Sequence, residues 1–302
     1  MFKFLRPLSV AMSCTKQLNN QGGLMKMRIF LRWILCVMVF TVITGTVWAA
    51  ETAPAPARSP ATAALDARAL DTLKLMSEKL SQAKSLRFEA RSMVPVKSPS
   101  GMWISLYGTS KVVKEGAEKL FVETRGDFFP YDFFFDGKTV TAFSPTKNFY
   151  AEKASTGTVD DVIEEAYREE GKSFPYADIL VADPYKVLTE GLVRAVYVGQ
   201  STFRPLSGSG SVVTDHLIFS NQGVEWQIWI GTEDRLPRMV CATYSDREGE
   251  PSYTVELGDW KIDEVLAPET FVYKNTTEAA KVEFRNPMQQ GRGVPSGAAG
   301  QQ

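Results

Sequence analysis

Short segments in which apolar and polar residues alternate follow one another from Leu86 almost to the C-terminus, and they restrict the fold more than any other feature. Neighbouring side chains of a β-strand point to opposite faces, so a period of two indicates strands. Asp136-Gly137, between two apolar runs, is typical of a tight hairpin turn and predicts antiparallel pairing. The first series reads LRFEARSMV, WISLYGTSKVVKE, KLFVETRGD, DFFFDGKTVTAFS and KNFYAEKA, and the second reads VRAVYVGQSTF, VVTDHLIFS, VEWQIWIG, RMVCATYS, SYTVELGDWKI and TFVYKN.

Three other segments carry the signals of helices. Apolar residues recur at steps of three and four over residues 65–83, which places them on one stripe of an amphipathic helix. Thr158 precedes VDDVIEEAYREE, so the threonine can cap a second helix whose acidic residues lie at its positive end. Asp183 caps a third helix that begins with proline, and Gly191 ends it.

A sheet of ten or more strands cannot stay flat, because each strand pair adds right-handed twist and large open sheets curl. We therefore expect an α+β fold with a single curved antiparallel sheet, an unclosed half-barrel of about ten or eleven strands. Three short helices should cover its concave face. The sequence has no internal repeat and no linker between the two series, so residues 65–285 are predicted to form one domain.

The N-terminal residues 1–50 have the order of a secretory signal peptide. An uncharged apolar run over 33–50 follows Lys26, Arg28 and Arg32 and ends in small residues, with a cleavage-like site after Ala49. A start at Met25 or Met27 would give this signal an ordinary length. The alternative is a retained inner-membrane anchor, since about 20 apolar residues span a bilayer. The Pro/Ala-rich residues 51–64 read as a linker and the Gly/Gln-rich residues 286–302 as a disordered tail, so the protein is expected in the periplasm.

Charge and cysteine content narrow the choice of partners. Residues 1–50 contain six of the 34 basic residues and no acidic one, which leaves 28 basic against 35 acidic residues in the exported part. Nucleic acid is therefore a poor partner. Only Cys241 lies beyond the signal, so the exported chain forms no internal disulfide and depends on packing.

The only histidine, His216, directly follows Asp215. On a strand these two side chains point to opposite faces, so they cannot form an acid-base dyad. A single histidine also excludes a Ser-His-Asp triad and a multi-histidine metal site. The sequence thus predicts no catalytic residue, no metal site and no cofactor, and we expect a protein that is not an enzyme.

Large apolar side chains on alternating strand positions are the main candidates for a function. Either the helices fill the concave face completely, or they leave an apolar cavity that admits an acyl chain, as in partly closed barrels. The sequence leaves both alternatives open. The candidate lining residues of such a cavity are Leu106, Val122, Phe133, Phe135, Phe143, Leu217, Phe219, Trp226, Ile228 and Leu257.

Three motifs in order, FFFDGKTVTAFSPTKNFYAE (133–152), ADILVADPY (177–185) and DHLIF with WQIWI and LPR (215–238), resemble a family of predicted periplasmic proteins known only as a domain of unknown function. That family is similar to the LolA/LolB-like lipoprotein carriers, and the similarity spans residues 65–284. The resemblance implies an unclosed barrel that binds a lipid or a lipoprotein acyl chain, and it carries over no catalytic residue. The alternative is an envelope sensor or scaffold module that binds another protein and no small molecule. Contact with a membrane is expected only through an uncleaved signal.

Overall fold

The computed structural model of the protein describes residues 65–98, 100–127, 130–170, 175–205 and 210–284. The predicted signal peptide, linker and tail lie outside these residues. The helices are α1 (Ala67–Gln82), α2 (Val159–Glu170) and α3 (Pro184–Thr189), with 3₁₀ helices at Ala177–Ile179 and Pro268–Phe271. The strands are β1 (Ser85–Lys97), β2 (Trp103–Glu115), β3 (Lys119–Gly126), β4 (Tyr131–Phe135), β5 (Thr139–Ser144), β6 (Phe149–Ala154), β7 (Leu192–Phe203), β8 (Val212–Asn221), β9 (Val224–Gly231), β10 (Pro237–Thr243), β11 (Ser252–Ile262) and β12 (Ala280–Val282).

The twelve strands form one sheet in the order β12-β6-β5-β4-β3-β2-β1-β11-β10-β9-β8-β7. Each series of alternating segments forms a meander, and the antiparallel pair β1–β11 joins the two, with Ala90 opposite Leu257. β7 and β12 end the order without pairing to each other, so the half-barrel is not closed. The predicted α+β architecture is confirmed, with slightly more strands than expected.

The last strand differs from the prediction. The segment TFVYKN leaves a 3₁₀ helix and continues as irregular chain, and the final strand is instead β12, which pairs parallel to β6 with Ala280 opposite Phe149. Pro268 starts the 3₁₀ helix. Tyr273 then packs on aromatic rings of the sheet and is not part of a hydrogen-bonded strand. Alternation alone cannot distinguish these two ways of burying an aromatic residue.

Side-chain caps start the helices, and those at Thr158 and Asp183 were predicted from the sequence. Asp66 accepts hydrogen bonds from the backbone N–H groups of Arg68 (2.8 Å) and Ala69 (3.4 Å) at the start of α1. At α2, the Thr158 backbone N–H donates to the Asp161 carboxylate (2.8 Å), and the Asp161 N–H donates to the Thr158 hydroxyl oxygen (3.4 Å). This reciprocal pair satisfies two donors that a helix start leaves unbonded.

The main core lies between the helices and the concave face of the sheet. α1 packs against α3 and against strands β7 to β9. Its stripe of Ala69, Leu73, Met76 and Leu80 is at most 1% exposed. Within the described part of the chain, no helix is both long and apolar enough to cross a membrane.

Residues 264–284, here called the C-terminal strap, cross the outer, convex face of the sheet. Leu266 and Phe271 of the strap pack on Val113 of β2 and form a second, smaller core. Tyr273 follows, and its ring contacts those of Phe134, Phe143 and Tyr150 at centroid distances of 5.7, 5.2 and 5.0 Å. The strap therefore buries apolar side chains on the outer face of β2 to β6.

Candidate functional site

The concave face holds most of the predicted lining residues. Nine of the ten point toward the helices, namely Leu106, Val122, Phe133, Phe135, Leu217, Phe219, Trp226, Ile228 and Leu257. All but the half-buried Leu106 belong to the main core and are at most 1% exposed. Leu73 and Met76 of α1 and Leu188 of α3 belong to the same core. The chain's own helices thus cover the face that was predicted to receive a ligand.

Phe143 lies on the other face, which corrects its interpretation as a lining residue. In the β4–β5 pair, Phe143 is opposite Asp132, whereas Ala142 is opposite the buried Phe133. The Phe143 ring packs on Tyr273 of the strap. Both faces of β5 carry apolar residues, so the large apolar side chain of Phe143 did not indicate which face it occupies. The strap that covers it could not be expected from the local pattern.

One cavity under the helices is small. A cavity of about 20 Å³ lies between the first 3₁₀ helix with α3 and strands β9 to β11, and Asp178, Leu188, Trp226 and Val255 contribute to its lining. This volume suffices for about one water molecule. Pockets for small-molecule ligands measure about 300–1,000 Å³. An acyl chain could therefore occupy this part of the hollow only if the helices moved.

His216 and Asp215 point to opposite faces, as the alternation predicts. Asp215 faces inward and is 5% exposed, whereas His216 lies half-buried on the outer face. The imidazole stacks on Trp229 with ring centroids 4.2 Å apart, and its Nε2 is hydrogen-bonded to Gln227 Oε1 at 2.9 Å. Both partners come from β9, so His216 has a packing role in the sheet.

Asp215 links the sheet to the start of α1. It accepts hydrogen bonds from the Tyr197 hydroxyl (2.6 Å) and, at 3.5 Å, from Arg235. Arg68 of α1 donates to the same Tyr197 hydroxyl (2.7 Å), and its guanidinium lies 3.6 Å from the centre of that ring. Partial burial and the Asp215 carboxylate raise the pKa of Tyr197 above its ordinary value. These hydrogen bonds connect α1 to the edge strand β7, which is a structural role.

Metal-ligating side chains are not grouped in the described ranges, where no cluster of three or more His, Cys, Asp or Glu residues occurs. Cys241 is a half-buried free thiol whose Sγ lies 3.5 Å from Thr254 Oγ1. Both side chains are on the outer face of the sheet, in neighbouring strands.

One half of the outer face is densely charged. On β1 to β4 and β11, oppositely charged side chains lie close together on neighbouring strands. A polar cleft of about 200 Å³ lies among them, with Tyr107, Thr109 and Gly258 in its lining. The ion pairs are Arg91–Glu256 (3.9 Å), Lys111–Glu123 (3.5 Å) and Arg125–Asp132 (2.6 Å). This half has the pattern of an ordinary solvated sheet surface.

The other half carries a band without acidic or basic side chains, here called the outer band. Two neighbouring rows across β7 to β10 form it, and their cross-strand register places the side chains side by side. Val196 is 37% exposed, and the others are half-buried. The members are Val196, His216, Ile218, Gln227, Trp229, Met239 and Cys241.

A comparison with protein families matches residues 69–285 to the family described as "Predicted periplasmic protein (DUF2092)". The chain belongs to this family. The resemblance found in the sequence motifs is thereby confirmed, and so is the predicted periplasmic location. A comparison with curated proteins finds no match.

Solved structures similar to this DUF2092 protein include three bacterial proteins of low sequence identity. A LolA superfamily protein from Nitrosomonas europaea is 10% identical with a TM-score of 0.30, covering 68% of this chain and 97% of that one. LprF from Mycobacterium bovis is 10% identical with a TM-score of 0.34, covering 65% and 94%. A DUF1329 family protein from Desulfovibrio piger is 10% identical with a TM-score of 0.32, covering 70% and 98%.

The outer band of this DUF2092 protein was missed by the sequence reasoning. The signal was present, because Ile218 and Trp229 occupy the strand positions between the predicted inward residues. A strand that is apolar on both faces is typical of a sheet covered on both sides. The residues at the outward positions of DHLIF and WQIWI are apolar as well as those at the inward positions, and this pattern could have indicated the surface.

Proposed function

We propose that this DUF2092 protein is a non-enzymatic periplasmic binding protein that recognises another envelope protein through the outer band. The observation that carries the proposal is the contrast between the two sides of the sheet. The concave side is covered by the protein's own helices, whereas the outer band presents Val196, Ile218, Trp229 and Met239, and its two rows contain no Asp, Glu, Lys or Arg on β7 to β10. Glu256 of β11, opposite Met239, borders the band.

The composition of the outer band agrees with this role. Cores of protein interfaces are depleted of charged residues and enriched in aromatic residues and methionine. Trp229 and Met239 lie directly opposite each other in the β9–β10 pair, and His216 stacks on the same tryptophan. A partner that presents an uncharged apolar segment would bury these side chains without leaving a charge unpaired.

The acyl-chain hypothesis from the sequence is the alternative. Its candidate residues face the hollow, with the exception of Phe143, but the cavity beside Trp226 and Ile228 measures about 20 Å³. Binding would require the helices to move away and to expose Leu73, Met76 and their neighbours. We therefore regard recognition of a protein as the function that the geometry supports best.

Site-specific photo-crosslinking in cells tests the proposal. A photoreactive residue at Val196 lies in the outer band, and one at Lys111, whose side chain is 61% exposed on the charged half of the same face, is the matched control. We expect a discrete protein adduct from position 196 and none from position 111. Val196→Glu should then weaken binding of the identified partner at least about tenfold by placing a charge in the interface.

Mass spectrometry of lipids extracted from the purified protein separates the alternatives. Protein binding through the outer band predicts no stoichiometric lipid. A stoichiometric acyl lipid, together with identical adduct patterns from positions 196 and 111, would contradict the proposal and favour the acyl-chain hypothesis.

A further inference from the structure

The hairpin formed by β1 and β2 is longer than the strands beside it. The two strands pair from Ser85↔Glu115 as far as Lys97↔Trp103. On one side, β11 pairs with β1 only as far as Met93, and on the other, β3 pairs with β2 only from Gly108. Residues 94–98 and 100–107, here called the rim hairpin, therefore extend beyond both neighbouring strands as a two-stranded ribbon.

Exposed apolar side chains occur on both faces of this ribbon, although Lys97 and Ser105 also lie on its outer side. Val94↔Leu106 and Val96↔Ile104 are cross-strand pairs on the concave side. Trp103 lies on the opposite side, and Met102 is in the turn. Met102, Trp103 and Ile104 are 65%, 40% and 44% exposed. At the base of the ribbon, Met93 and Tyr107 form a further exposed apolar pair on the outer side, 45% and 41% exposed.

Apolar side chains on both faces limit what can cover the ribbon. A strand ribbon in water ordinarily turns one polar face to the solvent. A flat protein surface would cover one face and leave the other exposed. A bilayer interface surrounds an inserted ribbon, and tryptophan is enriched at the level of the lipid headgroups because its ring combines an apolar body with a polar N–H.

The described chain begins at the same end of the sheet. Leu65 forms a parallel bridge with Ala195, close to Leu192, the first residue of β7. The antiparallel order from strand to strand places the start of β7 on the same rim as the end of β1 and the start of β2. The apolar run over 33–50 is joined to this rim through residues 51–64. Fully extended, 14 residues span at most about 50 Å.

The charges near the tip cancel. Lys97 Nζ lies 2.9 Å from Glu248 Oε2 of the β10–β11 connection and 6.0 Å from the centre of the Trp103 ring. The hydrogen bond and the charge of Lys97 lower the pKa of Glu248. An attraction that depends on anionic lipid is therefore not favoured by this tip.

We propose that the rim hairpin inserts Met102, Trp103 and Ile104 into the surface of a phospholipid bilayer, and so orients the domain with this rim toward the membrane. This contact differs from the expected attachment through an uncleaved signal, and it does not depend on the proposed binding of a protein partner. The outer band stays clear of the bilayer interface in this arrangement, because it lies on a face of the sheet rather than on its rim.

Flotation with vesicles of phosphatidylethanolamine and phosphatidylcholine tests the proposal, with the protein purified from the periplasm in the form that export produces. We expect the protein to float with the vesicles at both 50 and 500 mM salt, because screening weakens only electrostatic attraction. The double substitution Met102→Glu with Ile104→Glu should reduce the bound fraction at least about tenfold by placing charges in the apolar interface. Leu75→Glu, an exposed position on α1, is the control and should bind like the unaltered protein.

Circular dichroism of each variant confirms that it folds. Equal flotation of the double variant and the unaltered protein would overturn the proposal. So would a failure of the unaltered protein to float, or a loss of its binding at 500 mM salt. A tryptophan-quenching experiment with brominated lipids gives a second reading, because the Trp103→Phe variant should lose part of the quenching while it still floats.

Discussion

Replacement of Leu73 by alanine tests whether the helices fill the hollow. Leu73 lies in the middle of α1, is 0% exposed and belongs to the same core as Phe219 and Trp226 of the sheet. The substitution removes three carbon atoms, and at about 0.8 kcal/mol for each buried CH₂ the lost transfer free energy is about 2.4 kcal/mol. The cavity left behind adds to this, so the free energy of unfolding should fall by about 2.7–5 kcal/mol.

Urea denaturation of Leu73→Ala and of the unaltered protein measures this difference, provided that the dependence on urea concentration is unchanged. Leu75→Ala is the matched control, since Leu75 lies on the same helix but is 46% exposed. Its effect should be within about 0.5 kcal/mol. A loss of less than about 1 kcal/mol for Leu73→Ala would mean that α1 lies loosely on the sheet. That result would refute the filled hollow and revive the acyl-chain hypothesis.

Four further substitutions test other parts of the structure. Burial lowers the pKa of Lys114 below its ordinary value of 10.5, while the nearby Asp160 opposes this shift. The folded protein therefore holds this proton less tightly than the unfolded chain, so Lys114→Met should raise the urea midpoint at pH 7 and lose this advantage as the pH approaches 10.5. Tyr273→Ala should reduce the free energy of unfolding by about 1–3 kcal/mol, because it removes three ring contacts that hold the strap. Asp215→Ala should cost about 1–3 kcal/mol, because it removes the buried carboxylate that accepts hydrogen bonds from the Tyr197 hydroxyl and from Arg235, whereas His216→Ala should cost about 1 kcal/mol or less.

Each of these predictions has a direct control. Lys111→Met removes an exposed lysine from the same strand and should leave the midpoint unchanged at both pH values. Tyr273→Phe keeps the ring and should retain most of the stability lost in the alanine variant. Equal losses from Asp215→Ala and His216→Ala would contradict the different positions of these two neighbours, one in the buried network and one on the outer face.

The sequence by itself determined the local elements and the architecture. The period of two defined the strands of both meanders, because a half-buried strand must alternate. The caps at Thr158 and Asp183 located two of the three helix starts, because a helix leaves N–H groups at its start that such side chains satisfy. The motifs over 133–152, 177–185 and 215–238 indicated the family.

Only the tertiary structure decided which faces are covered, and by what. Phe143 and Tyr273 are both aromatic residues in apolar surroundings, yet one lies on a strand and the other on a strap that crosses it. The pairing of β1 with β11, far apart in sequence, joined the two meanders into one sheet. Burial of a given face depends on segments distant in the chain, and a local pattern records only that a face is apolar. For the same reason the sequence left open whether the hollow is filled, a question on which only the packing of α1 against the sheet bears.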